Sequence, residues 1–417
     1  MTTLEVRTER TRVSTKGGSR HAVVTIGAPR LEGGKPRSPM NLAFVLDRSG
    51  SMGHEKLGLA KGAVGEALRR LVNTDRFAVV TYDDKVEIAV PSTPAGRNAV
   101  ADAERALSLV EARGSTDLCS GWLTGCREIA RHLGGGQVAR CMLFTDGLAN
   151  QGETNMEALA GHARELRARG IATTTFGIGA DFDEHLLRRI ADEGGGSARF
   201  IESAADFSRL VNAELRDTLD VVHKDLVLRI TVSGAAELEP IGPWRVERDG
   251  RGLLVRLGDV VSEEELQLVL RAHLGASAEG STVRLTFSLE DRDGPVASAH
   301  PTITWQVVLS AENRAQPRDI AVDRIVAARH AARAREHAVL ANRRREWGEA
   351  ERLLRRVADR IRQYAGEDAE LRAIVNALLA DAETYGRPMS AIEQKREYYR
   401  TSQASRGKLE DGSSKRR

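Results

Sequence analysis

From about residue 40 to 218 the chain repeats one cycle: an apolar run, a helix-period stretch, then glycine. NLAFVL (41–46), RFAVVTY (76–82), VEIAV (86–90), ARCMLFT (139–145), IATTTFGI (171–178) and ARFIE (198–202) read as strands. Apolar positions at helical spacing between them predict helices over 55–72, 96–112, 119–132, 155–169, 183–194 and 204–218. Near-continuous Val, Ile and Phe runs signify strands buried on both faces, as in a parallel sheet covered by helices. The pattern predicts a doubly wound, mostly parallel, six-stranded α/β sheet. VEIAV follows RFAVVTY after a connection too short for a crossover helix, so it is expected as an antiparallel edge strand.

Either side of this region the pattern differs. Residues 3–13 and 20–27 alternate apolar and polar positions around the turn-like KGGS, which predicts two strands. From about 222 to 311 short alternating segments (DLVLRITVS, GPWRVERDG, RGLLVRLGDV, EELQLVLRAHL, STVRLTFSLED, TITWQVVLS) predict an antiparallel β-sandwich. A lone hairpin is marginal in water, so residues 1–36 are expected to join this sandwich, with the α/β domain (40–218) inserted between its parts. Residues 317–402 are rich in Ala, Arg, Glu and Leu at helical period. Breaks near 345–347, 365–366 and 386–388 predict a helical domain of four hairpin-packed helices. The polar segment 403–417 reads as a disordered tail.

Composition changes this picture little. A chain of 417 residues with 41% hydrophobic and 29% charged residues is globular, and its length favours several domains. A net charge of +3 gives no global attraction to nucleic acid or an anionic membrane. The Arg-rich stretch around Arg343–Arg345 and Arg352–Arg362 is interspersed with Glu346, Glu349, Glu351 and Asp359, as on a solvated helix face with i,i+4 pairs. Cys119, Cys126 and Cys141 fit neither a zinc site nor a disulfide framework and read as reduced packing residues. The first residues carry no apolar secretory core, and no window approaches the roughly 18 apolar residues of a membrane helix. The expectation is a cytoplasmic protein with no membrane partner.

Chemistry enters where strands end. The first strand of the α/β region stops on Asp47 and is followed at alternate positions by Ser49 and Ser51. Open α/β sheets bind ligands at the carboxyl ends of their strands, where the strand order reverses. Thr116, in GSTDL before a helix, and Asp146, ending another buried strand in FTDG, fall at the same edge. Two carboxylates brought together repel unless a proton or cation lies between them. Hydroxyls and carboxylates form an all-oxygen set for a hard divalent ion, Mg2+ first, with Mn2+ or Ca2+ as alternatives, while the lack of His and Cys disfavours zinc.

DRSGSMG, GSTDL and FTDG, in this order, resemble the three metal-site motifs of the von Willebrand factor type A (VWA) domain. RFAVVTYDD, FGIGADFDEHLL and GGGSARFIESAADF look like the corresponding segments of bacterial, intracellular members. The resemblance covers residues 40–218. It implies a Rossmann-like fold with a metal-ion-dependent adhesion site. There Ser49, Ser51 and Thr116 contact the ion directly or through water, while Asp47 and Asp146 hold ligating waters or bind in turn. Such sites leave one coordination position open for a Glu or Asp of a partner protein, so the implied function is a non-enzymatic, Mg2+-dependent interaction scaffold. His54–Glu55 stands where integrin-type domains carry an extra acidic pair, so no second calcium site is expected.

Other readings compete. Ser49 or Ser51 could simply cap the helix that follows. A metal-dependent hydrolase or phosphotransferase could use Asp47 as nucleophile, but Ser49 stands where such enzymes need a second carboxylate. No GxSxG elbow frames either serine, and neither His54 nor His185 is placed convincingly as a base, although His54 is close enough to keep that option open. Gly177 and Gly179 match a dinucleotide loop incompletely. A nucleic-acid-binding helical domain is the third alternative. Partner identity and oligomeric state are not legible.

Overall fold

The protein is described by a computed structural model covering residues 1–31, 37–250, 252–296, 300–406, 415 and 416. Two compact units emerge. One contains residues 1–31 and the chain from 221 onward; the other contains the α/β segment up to residue 220.

The chain begins with β1 (Thr3–Thr8), β2 (Arg12–Ser14) and β3 (Gly18–Gly27). The single strand expected over 3–13 is therefore broken at 9–11. The reason lies in its partners: β1 pairs with β3, whereas β2 joins a different sheet.

In the α/β unit come β4 (Met40–Asp47), α1 (Gly53–Leu68), β5 (Arg76–Tyr82), β6 (Val86–Pro94), α2 (Arg97–Ser108) and α3 (Leu118–Ala130). These are followed by β7 (Val138–Thr145), α4 (Met156–Ala168), β8 (Ile171–Ile178), α5 (Glu184–Glu193), β9 (Gly195–Ile201) and α6 (Ala204–Leu219). The sheet order is β6-β5-β4-β7-β8-β9. All neighbours are parallel except the β5–β6 pair at the edge. Every residue of β4, β7 and β8 is buried. That is what two helical layers require of central strands. From β4 the chain steps to β5 on one side and later to β7 on the other, so the strand order reverses at β4.

Glycine sets the closeness of α3 to this sheet. A Cβ on Gly125 would come within 2.3 Å of Val45 Cγ2, and one on Gly121 within 2.4 Å of Tyr82 Cγ.

The other unit continues with β10 (Val221–Ser233), β11 (Ala236–Ile241), β12 (Arg245–Asp249), β13 (Gly252–Val261), β14 (Glu265–Leu274), β15 (Thr282–Asp291), β16 (Gly294–Pro295) and β17 (Thr302–Val308). One sheet runs β1-β3-β14-β11 and the other β12-β13-β10-β15-β17-β2, with β16 on β15. A shared core that includes Val24, Ile26, Leu268, Leu228, Ile230, Phe287 and Trp305 lies between them. The sandwich is not wholly antiparallel, because β2 pairs with β17 in parallel. The β1–β2 bend turns the chain across to the second sheet, and Trp305 secures it by donating to Thr8 Oγ1 and the Arg10 carbonyl, both at 3.1 Å.

Helices α7 (Ser310–Ala315), α8 (Ile320–Arg343), α9 (Trp347–Ala365), α10 (Ala369–Tyr385) and α11 (Ala391–Ser405) follow. Val322 and Val326 of α8 pack on Val23, Val269 and Ile241, the outer face of the four-stranded sheet. This explains why β3 and β14 are apolar on both faces. On α9, Ala350, Leu354, Ala358 and Ile361 are buried, while Arg352, Arg355 and Arg362 are exposed and paired with Glu349, Glu351 and Asp359. The tail expected to be disordered from 403 starts inside α11, where Gln403 and Ser405 are buried. Beyond Arg406 only Lys415 and Arg416 of it are described; the Lys415 carbonyl accepts from the Glu265 N–H. Among the described residues no helix is long and apolar enough to cross a membrane.

Candidate metal centre

Asp47 closes β4 in register with Tyr82 of β5 and sits beside the end of β7, so its carboxylate is fully buried at the reversal point. The Ser49 N–H donates to Asp47 Oδ1 at 2.8 Å, and the Thr145 hydroxyl donates to Oδ2 at 2.6 Å. Burial raises Asp47 to about 6 against these bonds, and the neighbouring Asp146 charge adds to the rise.

After Asp47 the chain forms a 3-10 turn (Gly50–Met52) that runs into α1. Neither the turn nor α1 has a side-chain cap. The hydroxyls point elsewhere. Ser49 Oγ lies 3.1 Å from Ser51 Oγ, and Ser51 Oγ donates to Asp146 Oδ1 at 2.6 Å. Helix capping is thus not what places them.

Thr116 arrives on the loop before α3. Its N–H donates to Asn150 Oδ1 at 3.0 Å, and its carbonyl accepts from the N–H groups of Asn150 and Gln151. Thr116 Oγ1 and Ser51 Oγ each lie 3.5 Å from where a Cβ on Gly147 would stand, so both hydroxyls face the same space above the 146–147 backbone. Asp117 next to it caps α3 through the Ser120 N–H.

The first loop is held from beneath. Buried Arg48 pairs with Asp83 at 3.0 Å and with Glu87 at 2.8 Å, and Arg113 reaches both carboxylates at 2.7 Å. The Arg113 N–H donates to the Arg48 carbonyl, and the Gly50 N–H to that of Gly114. Under the site Phe144 and Phe176 stack at 4.5 Å, and the Tyr82 hydroxyl donates to the Phe144 carbonyl. Tyr82 is fully buried, and its phenol is pushed well up, first by burial and then by the Asp47 charge.

The five residues Asp47, Ser49, Ser51, Thr116 and Asp146 therefore meet at one sheet edge. All are buried except Ser51, which opens to solvent. Sequence reasoning missed Thr145, Asn150 and Lys56. Lys56 Nζ donates to Asp146 Oδ2 at 2.5 Å. Its signal was present: a cation in the opening turn of a helix runs against the helix dipole and calls for a partner.

The donor set fits a hard divalent cation. Two buried carboxylates and three hydroxyls supply only oxygen, and a single ammonium offsets two negative charges. Among the described residues no group of three or more His, Cys, Asp or Glu side chains is placed to hold a metal.

Comparison with known proteins agrees with the fold. Residues 41–216 match the family model of the von Willebrand factor type A domain. The chain is 30% identical over 197 residues to the uncharacterized protein YfbK of Escherichia coli, a match covering 47% of this chain and 34% of that protein. A von Willebrand factor type A structure from Catenulispora acidiphila superposes with a TM-score of 0.70 at 18% identity, over 89% of this chain and 88% of that one. The ArnB paralog VWA2 from Sulfolobus acidocaldarius gives a TM-score of 0.58 at 14% identity over 97% and 99%. At such identities the two structures share a fold with this chain. The family model and the fold coincide on one segment: residues 41–216 form a von Willebrand factor type A domain.

Proposed function

We propose that this domain is a Mg2+-dependent protein-binding module whose metal centre captures an acidic side chain of a partner protein. The observation that carries the reading is the direction of the serine hydroxyls. Neither makes a helix cap: Ser51 Oγ donates to the buried Asp146 carboxylate and Ser49 Oγ lies 3.1 Å from Ser51 Oγ, while the Ser49 N–H donates to the second buried carboxylate, Asp47. Ser49, Ser51 and Thr116 would hold the ion, with Asp47 and Asp146 supplying charge directly or through water; Mn2+ or Ca2+ satisfies the same donors. A bound ion would supply a hard positive charge able to accept a carboxylate oxygen. The exposure of Ser51 leaves that side accessible.

In this reading the site recognises and does not turn over. A phosphotransferase needs Asp47 as a free nucleophile, yet both of its oxygens are engaged by the Ser49 N–H and the Thr145 hydroxyl. The three free, buried cysteines suit a reducing, cytoplasmic setting for such a scaffold. The helical region, with its arginines paired along the helix, offers a protein-facing surface in preference to nucleic acid.

The test is affinity purification with and without chelator, together with Mn2+ titration followed by electron paramagnetic resonance. Asp47→Ala and Thr116→Ala are expected to abolish metal binding and partner capture while the circular dichroism spectrum stays unchanged. An identical set of retained proteins under every condition would overturn the reading.

A further inference from the structure

Lys56 stands in the opening turn of α1, with its side chain one-third exposed, at 33%. Its ammonium donates to Asp146 Oδ2 at 2.5 Å and approaches the Ser51 carbonyl at 3.5 Å. The start of a helix carries the positive end of its dipole, the least favourable place along α1 for a cation. The contact with a buried carboxylate offsets this. Gly179, just beyond β8, borders the side chain: a Cβ there would stand in ordinary contact with Lys56, 3.6 Å from both Cε and Nζ. Gly179 has φ +71°, a backbone conformation that favours glycine.

Asp146 is thereby divided between two claims inside the chain: Oδ1 accepts from Ser51 Oγ and Oδ2 from Lys56. A divalent cation among the hydroxyls of Ser49, Ser51 and Thr116 draws on the same carboxylate, directly or through water. Two cations competing for one buried carboxylate repel each other strongly at such range. The geometry points to Lys56 as a tethered counter-cation of the metal centre, which a divalent ion must displace from Asp146 before a partner carboxylate can be captured.

This inference rests on the metal reading of the site and adds how that site is regulated. The ammonium is a compact charge on a flexible four-carbon stem, already partly in water, so it can swing away without disturbing α1. Its presence lowers metal affinity and, when metal is scarce, keeps Asp146 from standing beside Asp47 as a second uncompensated charge. The centre can then load and unload its ion without unfolding.

The experiment uses the full chain as wild type, Lys56→Met and Lys56→Arg, with Mn2+ as the probe. Lys56→Met is expected to bind Mn2+ about tenfold more tightly, and Lys56→Arg no more tightly than wild type. In chelator, Lys56→Met is expected to melt several degrees below wild type, and saturating Mg2+ should close that gap. If wild type binds Mn2+ and Lys56→Met binds it equally or more weakly, the role given to Lys56 is wrong while the metal centre stands. If none of the three proteins binds Mn2+, the metal reading falls and takes this inference with it.

Discussion

Thr145 donates its hydroxyl to Asp47 Oδ2 and so fixes the orientation of the strand-tip carboxylate. Thr145→Val preserves the side-chain shape and removes that donor. Groups that orient metal ligands typically contribute 10- to 100-fold in affinity, and a loss of about 10-fold in Mn2+ binding is expected here, read by titration with the fold unchanged. Gly121 is constrained by packing, since its Cβ would strike the Tyr82 ring. Gly121→Ala should lower unfolding free energy by about 1–3 kcal/mol in urea titrations, the usual penalty of an overfilled core. The sequence showed Asp47, Ser49, Ser51, Thr116 and Asp146 because acid and hydroxyl side chains at the ends of buried strands are conspicuous. Thr145 was not legible as a site residue because a threonine in a buried strand is ordinary; only the contact with Asp47 distinguishes it.

Among the elements, α6 is tied to the sheet by charge as well as by apolar packing. Glu214 accepts from Arg140 of β7, Arg199 of β9 and Thr174 of β8, all buried. Although burial pushes its carboxyl up, the Arg199 and Arg140 charges hold it down to about 2. Glu214→Leu would leave two guanidinium groups in the interior without this partner, and a loss of about 3–5 kcal/mol is expected by chemical denaturation.

The contact of α8 with its sheet carries a pH dependence. His330 Nε2 lies 3.3 Å from Nε2 of His21 on β3, and His21 in turn approaches Glu9. Burial, followed by the charges of His21, Arg360, Arg271 and Arg333, lowers His330 from 6.5 to about 4. The unfolded chain therefore binds the extra proton first, and stability is lost as pH falls from about 6.5 towards 4, by at most about 3 kcal/mol. Urea midpoints measured across that window should fall, and His330→Phe should flatten the trend. Elements with a long periodic pattern, such as α9, or a continuous apolar run, such as β4, were legible. β2 and β11 were not: the first has three residues, and the second, AELEPI, carries a proline and acids that its position beside β14 tolerates.

For the whole molecule, the α/β segment has its own core and forms a compact unit, whereas residues 1–31 do not. A fragment spanning 37–220 is expected to fold and to gain thermal stability from Mg2+. Removal of residues 1–31 from the full chain should instead leave the remaining strands aggregation-prone, because β3 lies between β1 and β14 and its loss exposes an apolar edge. Size-exclusion chromatography of both proteins checks this. The parallel pairing of Arg12–Ser14 with Gln306–Val308 also sets a timetable for biosynthesis. At roughly 5–20 residues per second, a ribosome takes on the order of tens of seconds to travel between those two segments. During that wait the von Willebrand factor type A domain emerges whole and can fold, while β1 and β3 can pair with each other but β3 still lacks β14 and β2 lacks β17. Strands β2 and β3 are thus completed long after they are made, and until β14 and β17 emerge the core positions of β3, Val24 and Ile26, are open to a chaperone.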